Sequence, residues 1–124
     1  MIIIPKILVV EDEEAMRDLL QLHLSSAGYT VELAEDAIAA GYAVLRGAPD
    51  LIVCDVQMPH MDGLELIAAL RTDSKVPRMP VIFLSADDYG EGRARELGVV
   101  EYLRKPIRLE ELLAAIERHV PRPG

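Results

Sequence analysis

One cysteine, Cys54, stands in a chain of 124 residues, so no intrachain disulfide can staple the fold. That cysteine lies inside the apolar run Leu51-Ile52-Val53-Cys54, where a thiol packs as a small hydrophobe. Positive charge is scarce as well: 13 Lys and Arg face 21 Asp and Glu, leaving a net charge of −8. A surface of that sign argues against direct binding to nucleic acid or to an anionic membrane. No apolar run approaches the ~20 residues that cross a bilayer. Met1-Ile2-Ile3-Ile4-Pro5 is apolar but far too short for a signal peptide's apolar segment, so the expected compartment is the cytoplasm. There is no internal repeat and no low-complexity tract.

What is present is the profile of a compact globule, 51% apolar and 27% charged. The length predicts one domain over residues 1–124 with a single two-faced core, residues 121–124 being a tail or the start of a linker. Strand and helix patterns alternate with short connections. Strands are predicted at 7–10, 30–34, 51–54, 81–84 and about 101–103. Helices are predicted at about 13–27, 36–46, 63–71, 89–97 and 109–120. Met16, Leu19, Leu20, His23 or Leu24, and Ala27 are expected on one face of the first helix, with Gly28 closing it. Asp36 and Asp62 are expected as caps. Gly90 and Gly92 each cost a helix interior about 1 kcal/mol relative to Ala, which predicts a shortened fourth helix. Five βα units imply a doubly wound parallel sheet of order 2-1-3-4-5 with helices on both faces, the flavodoxin-like α/β arrangement.

The apolar runs end on polar side chains. Ile7-Leu8-Val9-Val10 stops at Glu11-Asp12, and Leu51–Cys54 stops at Asp55, followed by the turn Val56-Gln57-Met58-Pro59-His60-Met61-Asp62-Gly63. Val81-Ile82-Phe83-Leu84 stops at Ser85, and Tyr102-Leu103-Arg104 leads to Lys105-Pro106. If the runs are parallel neighbours, three acids, a hydroxyl and an ammonium meet at the carboxyl edge of the sheet, where open α/β sheets bind ligands. Two acids directly after a buried strand are better explained as ligands than as a helix start. Ser85 taken alone could equally cap the next helix.

Those pieces, in that order and spacing, resemble the receiver domain of two-component response regulators from about Lys6 to Val120. The resemblance implies a phosphorylation-dependent signalling switch in which Asp55 accepts a phosphoryl group from a histidine kinase or phosphotransfer protein. Glu11, Asp12, Asp55 and the backbone carbonyl of Gln57 would gather a Mg²⁺. Ser85 would hydrogen-bond a phosphoryl oxygen, and Lys105 would pair with Asp55 or its phosphate. A cis Lys105–Pro106 peptide is also implied. On phosphorylation Ser85 would move inward and Tyr102 would turn into the vacated space, reshaping the face of the fourth helix, fifth strand and fifth helix. Such a domain assists its own phosphorylation and dephosphorylation rather than acting as an enzyme on other molecules. Its partners would be a kinase and a downstream effector or fused output domain, with a homodimer through the same face as a further option.

Some positions depart from the family pattern. Ser85 replaces the commoner threonine, Val99 follows Gly98 where alanine is usual, and Ile107 follows Pro106 where phenylalanine is usual. Ala115 stands where the winged-helix subclass has an arginine in its dimer face, which weakens the case for that dimer. Gln57 and Asp87, two residues beyond Asp55 and Ser85, are expected to reach water approaching the acyl phosphate and set its lifetime. Met58 and Met61 are expected in turn and core packing, and His23, His60 and His119 at the surface or in packing. Three competing readings fare worse. A phosphohydrolase of the haloacid-dehalogenase type needs a second Asp where Gln57 stands. The acids at 11–14 would repel a flavin phosphate. A degenerate receiver would have lost an acid, the acceptor or the lysine.

Overall fold

A computed structural model describes residues 2–124. The elements are β1 (Lys6–Val10), α1 (Glu14–Ser26), β2 (Thr30–Ala34), α2 (Ala37–Arg46), β3 (Leu51–Asp55), α3 (Gly63–Thr72), β4 (Val81–Ser85), α4 (Glu91–Glu96), β5 (Glu101–Arg104) and α5 (Leu109–Glu117). All strands are parallel, in the order β2-β1-β3-β4-β5. The expected architecture is therefore the observed one.

Strand periodicity sorts the core into two layers. Leu8, Val10, Ile52, Cys54, Val81 and Phe83 face one side, where residues of α2, α3 and α4 cover them. Ile7, Val9, Leu51, Val53, Ile82 and Leu84 face the other, under α1 and α5. A strand covered on both sides cannot alternate apolar with polar, which is why these runs read as continuous. Cys54 is fully buried among them, as expected.

The helix ends explain how the loops are held. Asp62 and Glu65 form a reciprocal capping box at the start of α3, and Asp36 accepts from Ala39 N–H at 2.8 Å at the start of α2. α4 is only six residues long, with Gly90 as its N-cap, so the predicted shortening is present. α1 differs from expectation on one face: Leu20 and Leu24 are buried, but Leu19 is 48% exposed. One helical residue is a rotation of about 100°, so Leu19 falls off the stripe that Leu20 and Leu24 define. Ala27 is likewise exposed, just past the helix end. Met58 packs in the core as expected, whereas Met61 is partly exposed at the turn. Ala115 is fully buried in α5, so its departure from the arginine pattern lies in the core and not on an open face.

The turn after β3 is fixed by Gly63. Its N–H donates to the Val56 carbonyl at 2.9 Å, folding the turn back onto the strand end. A Cβ there would lie 2.7 Å from the Asp55 carbonyl oxygen and 3.1 Å from Val56 Cα, both backbone atoms that cannot swing aside. We expect Gly63→Ala to lower unfolding free energy by about 1–3 kcal/mol, read by urea denaturation. Gly41→Ala, inside α2 and meeting nothing within 4 Å, should instead raise it by up to about 1 kcal/mol.

Candidate functional site

β1 and β3 are adjacent, while β2 and β4 lie outside them, so chain direction across the sheet reverses at the β1/β3 boundary. Glu11 and Asp12 leave β1 at that point, and Asp55 ends β3 beside it. Glu11 N–H still pairs with Ala34 O at 3.0 Å, which keeps the backbone in the sheet and sends the side chain inward. Glu11 is 1% and Asp55 3% exposed, whereas Asp12 sits exposed on the rim. One carboxylate oxygen from each of the three lies within 4.8 Å of the others.

Lys105 reaches into this cluster. Its backbone N–H donates to Ser85 O at 2.8 Å, tying the end of β5 to the end of β4. Its Nζ then donates to Asp55 Oδ1 at 3.1 Å and stands 3.7 Å from Glu11 Oε1. The Lys105–Pro106 peptide is cis, as the resemblance implies. One ammonium does not balance three acids. Burial, then the Asp55 charge, push the Glu11 carboxyl from 4.5 up to about 7. Burial raises Asp55 as well, against the opposing pull of Lys105. Burial alone would lower Lys105, but its hydrogen bond to Asp55 and the acidic charges outweigh that and raise it. Glu11 Oε2 accepts from Glu13 N–H at 3.2 Å, but Oε1 is buried without any hydrogen-bond donor. An orphaned buried oxygen among clustered carboxylates suits a hard divalent cation.

The β4 side of the site is built differently. Ser85, fully buried, accepts from Gln57 Nε2 at 2.9 Å and from Asp87 N–H at 3.2 Å. Gln57 Oε1 accepts from Ala86 N–H at 3.1 Å and lies 3.3 Å from Ser85 Oγ. Tyr102 is half-buried, its ring edge-on to Phe83 with centroids 6.3 Å apart. Its hydroxyl donates to Asp87 O at 3.0 Å. The structure thus brings together Glu11, Asp12, Asp55 and Lys105, and places Ser85, Gln57 and Tyr102 in a second hydrogen-bonded group sharing the β4 end.

Two features escaped the sequence reading. The Gln57 side chain is engaged by Ser85 and Ala86 rather than left open to water, and no local pattern signals a pairing across 28 residues. His119 is more than a packing residue, since its Nε2 lies 2.8 Å from Glu101 Oε2 and Glu101 also accepts from both Nε and Nη2 of Arg118. An apolar groove of about 350 Å³ lies between α2 and α3 and includes none of the acids of the cluster.

Comparison with known proteins agrees with this geometry. The sequence profile of the response regulator receiver domain matches residues 7–117. The response regulator MprA of Mycobacterium leprae is 44% identical over 113 residues, covering 90% of this chain and 49% of the relative. This chain therefore spans about half the length of the curated relatives it matches. The chemotaxis protein CheY4 of Vibrio cholerae superposes with a TM-score of 0.88 at 30% identity, covering 95% of this chain and 100% of the other. The response regulator TrrA of Thermotoga maritima, solved in complex with Mg²⁺ and BeF, gives 0.84 at 29% identity over 94% of this chain and 100% of the other. With five parallel strands in that order and an acidic crevice at β1/β3, the chain belongs to the response regulator receiver domain family, signalling phosphoacceptor domains of two-component systems.

Proposed function

We propose that Asp55 is the phosphoacceptor of a signalling switch, charged by a histidine kinase or phosphotransfer protein. The observation that carries this reading is the Asp55–Lys105 pair at 3.1 Å, set beside two further acids and an orphaned Glu11 oxygen. In the transfer, a new bond forms between an Asp55 carboxylate oxygen and phosphorus while the donor's phosphorus–nitrogen bond breaks. The departing imidazole takes up a proton. Both reactants are anionic, so the barrier is chiefly electrostatic. Lys105 keeps its ammonium at the attacking carboxylate and remains available to the equatorial oxygens. Glu11, Asp12, Asp55 and the backbone carbonyl of Gln57 would hold Mg²⁺, which when bound offsets the repulsion and draws charge from the phosphoryl oxygens. The Ser85 hydroxyl donates to one of those oxygens.

The output follows from the second group. Ser85 and Tyr102 are both bonded to Asp87, one to its N–H and one to its carbonyl. Phosphate that recruits Ser85 changes the support of the same segment that holds the Tyr102 hydroxyl. Tyr102 and the α4–β5–α5 face then follow as a two-state shift biased by differential contacts. Gln57 and Asp87 set the lifetime of the acyl phosphate, whose hydrolysis the chain itself assists. The receiver of the signal is an effector protein or a fused output domain, with no direct role for nucleic acid or membrane in this chain. Glu101, Arg118 and His119 are engaged with one another on the α4–β5–α5 face, and the reading needs no homodimer. A histidine-kinase donor places the reaction in the cytoplasm; no helix among the described residues is long and apolar enough to cross a membrane.

Incubation with acetyl phosphate and Mg²⁺ should add the mass of one phosphoryl group, read by intact-protein mass spectrometry. Asp55→Ala should abolish the gain, and EDTA should prevent it. A gain that persists in Asp55→Ala would exclude Asp55 as the acceptor.

The acid cluster also sets a pH dependence. Glu11 binds its proton more tightly folded, at about 7, than at its ordinary 4.5. Between those values the folded state holds more protons than the unfolded one, so stability falls as pH rises through the window. The full contribution is on the order of 3 kcal/mol, and Asp55 acts with the same sign. Glu32, held below its ordinary range by Lys6, and Glu101, held there by Arg118, act in the opposite sense at lower pH. Urea unfolding at pH 5 and pH 7.5 in EDTA should show the loss, and saturating Mg²⁺ or Glu11→Gln should largely remove it. Equal slopes in all three samples would contradict the assignment.

A further inference from the structure

Every bonding position of the Ser85 hydroxyl is already in use. Its lone pairs accept from Gln57 Nε2 at 2.9 Å and from Asp87 N–H at 3.2 Å, and the hydroxyl itself donates to Gln57 Oε1 at 3.3 Å. The neighbouring backbone donor, Ala86 N–H, is committed to the same Gln57 oxygen at 3.1 Å. An oxygen atom held between one hydroxyl and one backbone N–H at the end of a strand is what an arriving phosphoryl oxygen also requires. Gln57 supplies that oxygen from within the chain.

We propose that the Gln57 carboxamide is a built-in occupant of the phosphoryl-oxygen position, which a phosphoryl group on Asp55 must displace. The inference rests on Asp55 being the phosphoacceptor and adds a step that this reading does not contain. Gln57 is exposed on the turn between β3 and α3, so its side chain can leave the site by rotation about its own bonds. Its backbone carbonyl stays where it is, so displacement does not remove a cation ligand. Hydrogen bonds to an anionic oxygen are roughly twice as strong as those to a neutral one. Phosphate therefore wins the exchange, yet binds less tightly than it would to an open site.

Displacement also rearranges more than Gln57. Ser85 Oγ loses a donor when the carboxamide leaves, and its remaining donor is Asp87 N–H. The Asp87 carbonyl holds the Tyr102 hydroxyl at 3.0 Å. Exit of the carboxamide is thus the first event in a short bonded series ending at the aromatic of β5.

The test uses beryllium fluoride, a phosphoryl mimic, titrated into the chain at saturating Mg²⁺ and followed by ¹H–¹⁵N NMR. Gln57→Ala removes the carboxamide and keeps the backbone carbonyl, and it should bind the mimic about fivefold more tightly than the wild-type chain, or about 1 kcal/mol. In the wild type, the Gln57 side-chain NH₂ resonances should move toward those of a solvent-exposed glutamine as the mimic saturates, along with a shift of the Ala86 amide. Wild-type binding with no gain in Gln57→Ala and unmoved Gln57 NH₂ resonances would overturn the occupancy alone. Absence of any saturable response in either protein would instead overturn the phosphoacceptor reading on which it rests.

Discussion

Three carboxylates share one ammonium at the carboxyl edge of the sheet, and the rest of the molecule is arranged around that imbalance. Glu11 and Asp55 are almost fully withdrawn from water, and Glu11 keeps one oxygen with no donor at all. Such a grouping is unfavourable on its own terms, since burial and mutual repulsion both oppose ionisation. Lys105 relieves part of it by a direct hydrogen bond to Asp55. The remainder is an excess of negative field fixed in place, which a cation can relieve. The site is therefore poised by its own electrostatics, before any ligand is considered.

Holding like charges together requires a scaffold that does not yield. Here it is a sheet whose central strands are buried on both faces, so that β1, β3 and β4 cannot tilt without opening one of two packed layers. The loops that carry the acids are pinned as well. Glu11 remains in the sheet through Ala34, Gly63 closes the turn against Val56, and Lys105 is tied to Ser85 through the backbone. Arg17 of α1 donates to the Glu11 carbonyl at 3.0 Å, which fixes the first loop from the helix side. Local backbone contacts, rather than the carboxylates themselves, hold the geometry.

Much of this was written in the chain. Continuous apolar runs rich in Val, Ile and Leu and ending on Glu11, Asp55 and Ser85 specify both the strands and the edge at which they finish, because a parallel sheet has only one carboxyl edge. Gly90 and Gly92 forecast the short α4 by propensity alone. The misreadings have equally physical causes. Leu19 and Leu20 are adjacent, and a helical period cannot decide which of two neighbouring leucines faces in when both are apolar. Gln57 and His119 form their bonds through side-chain rotamers to residues 28 and 18 positions away, and no periodicity reports on a rotamer. Backbone placement is legible from pattern; the hydrogen-bonding choices of long polar side chains are not.

The division of the site into two groups bears on how a small chemical change could become a larger one. On the β1/β3 side the forces are charge and desolvation, strong and set by rigid strands. On the β4 side they are neutral hydrogen bonds among Gln57, Ser85, Ala86, Asp87 and Tyr102, each contributing about 0.5–1.5 kcal/mol. On the proposed reading, a phosphoryl group on Asp55 would belong to both sides, anchored by the first and reaching into the second. Bonds that weak can be exchanged within the few kcal/mol that separate two populated conformations. Ser85 lacks the methyl of a threonine, so hydrogen bonds rather than side-chain packing are what orient its hydroxyl. On that reading, strong electrostatics in the rigid half would reset weak contacts in the adaptable half, and Asp87, hydrogen-bonded to both Ser85 and Tyr102, is where the change would be handed on.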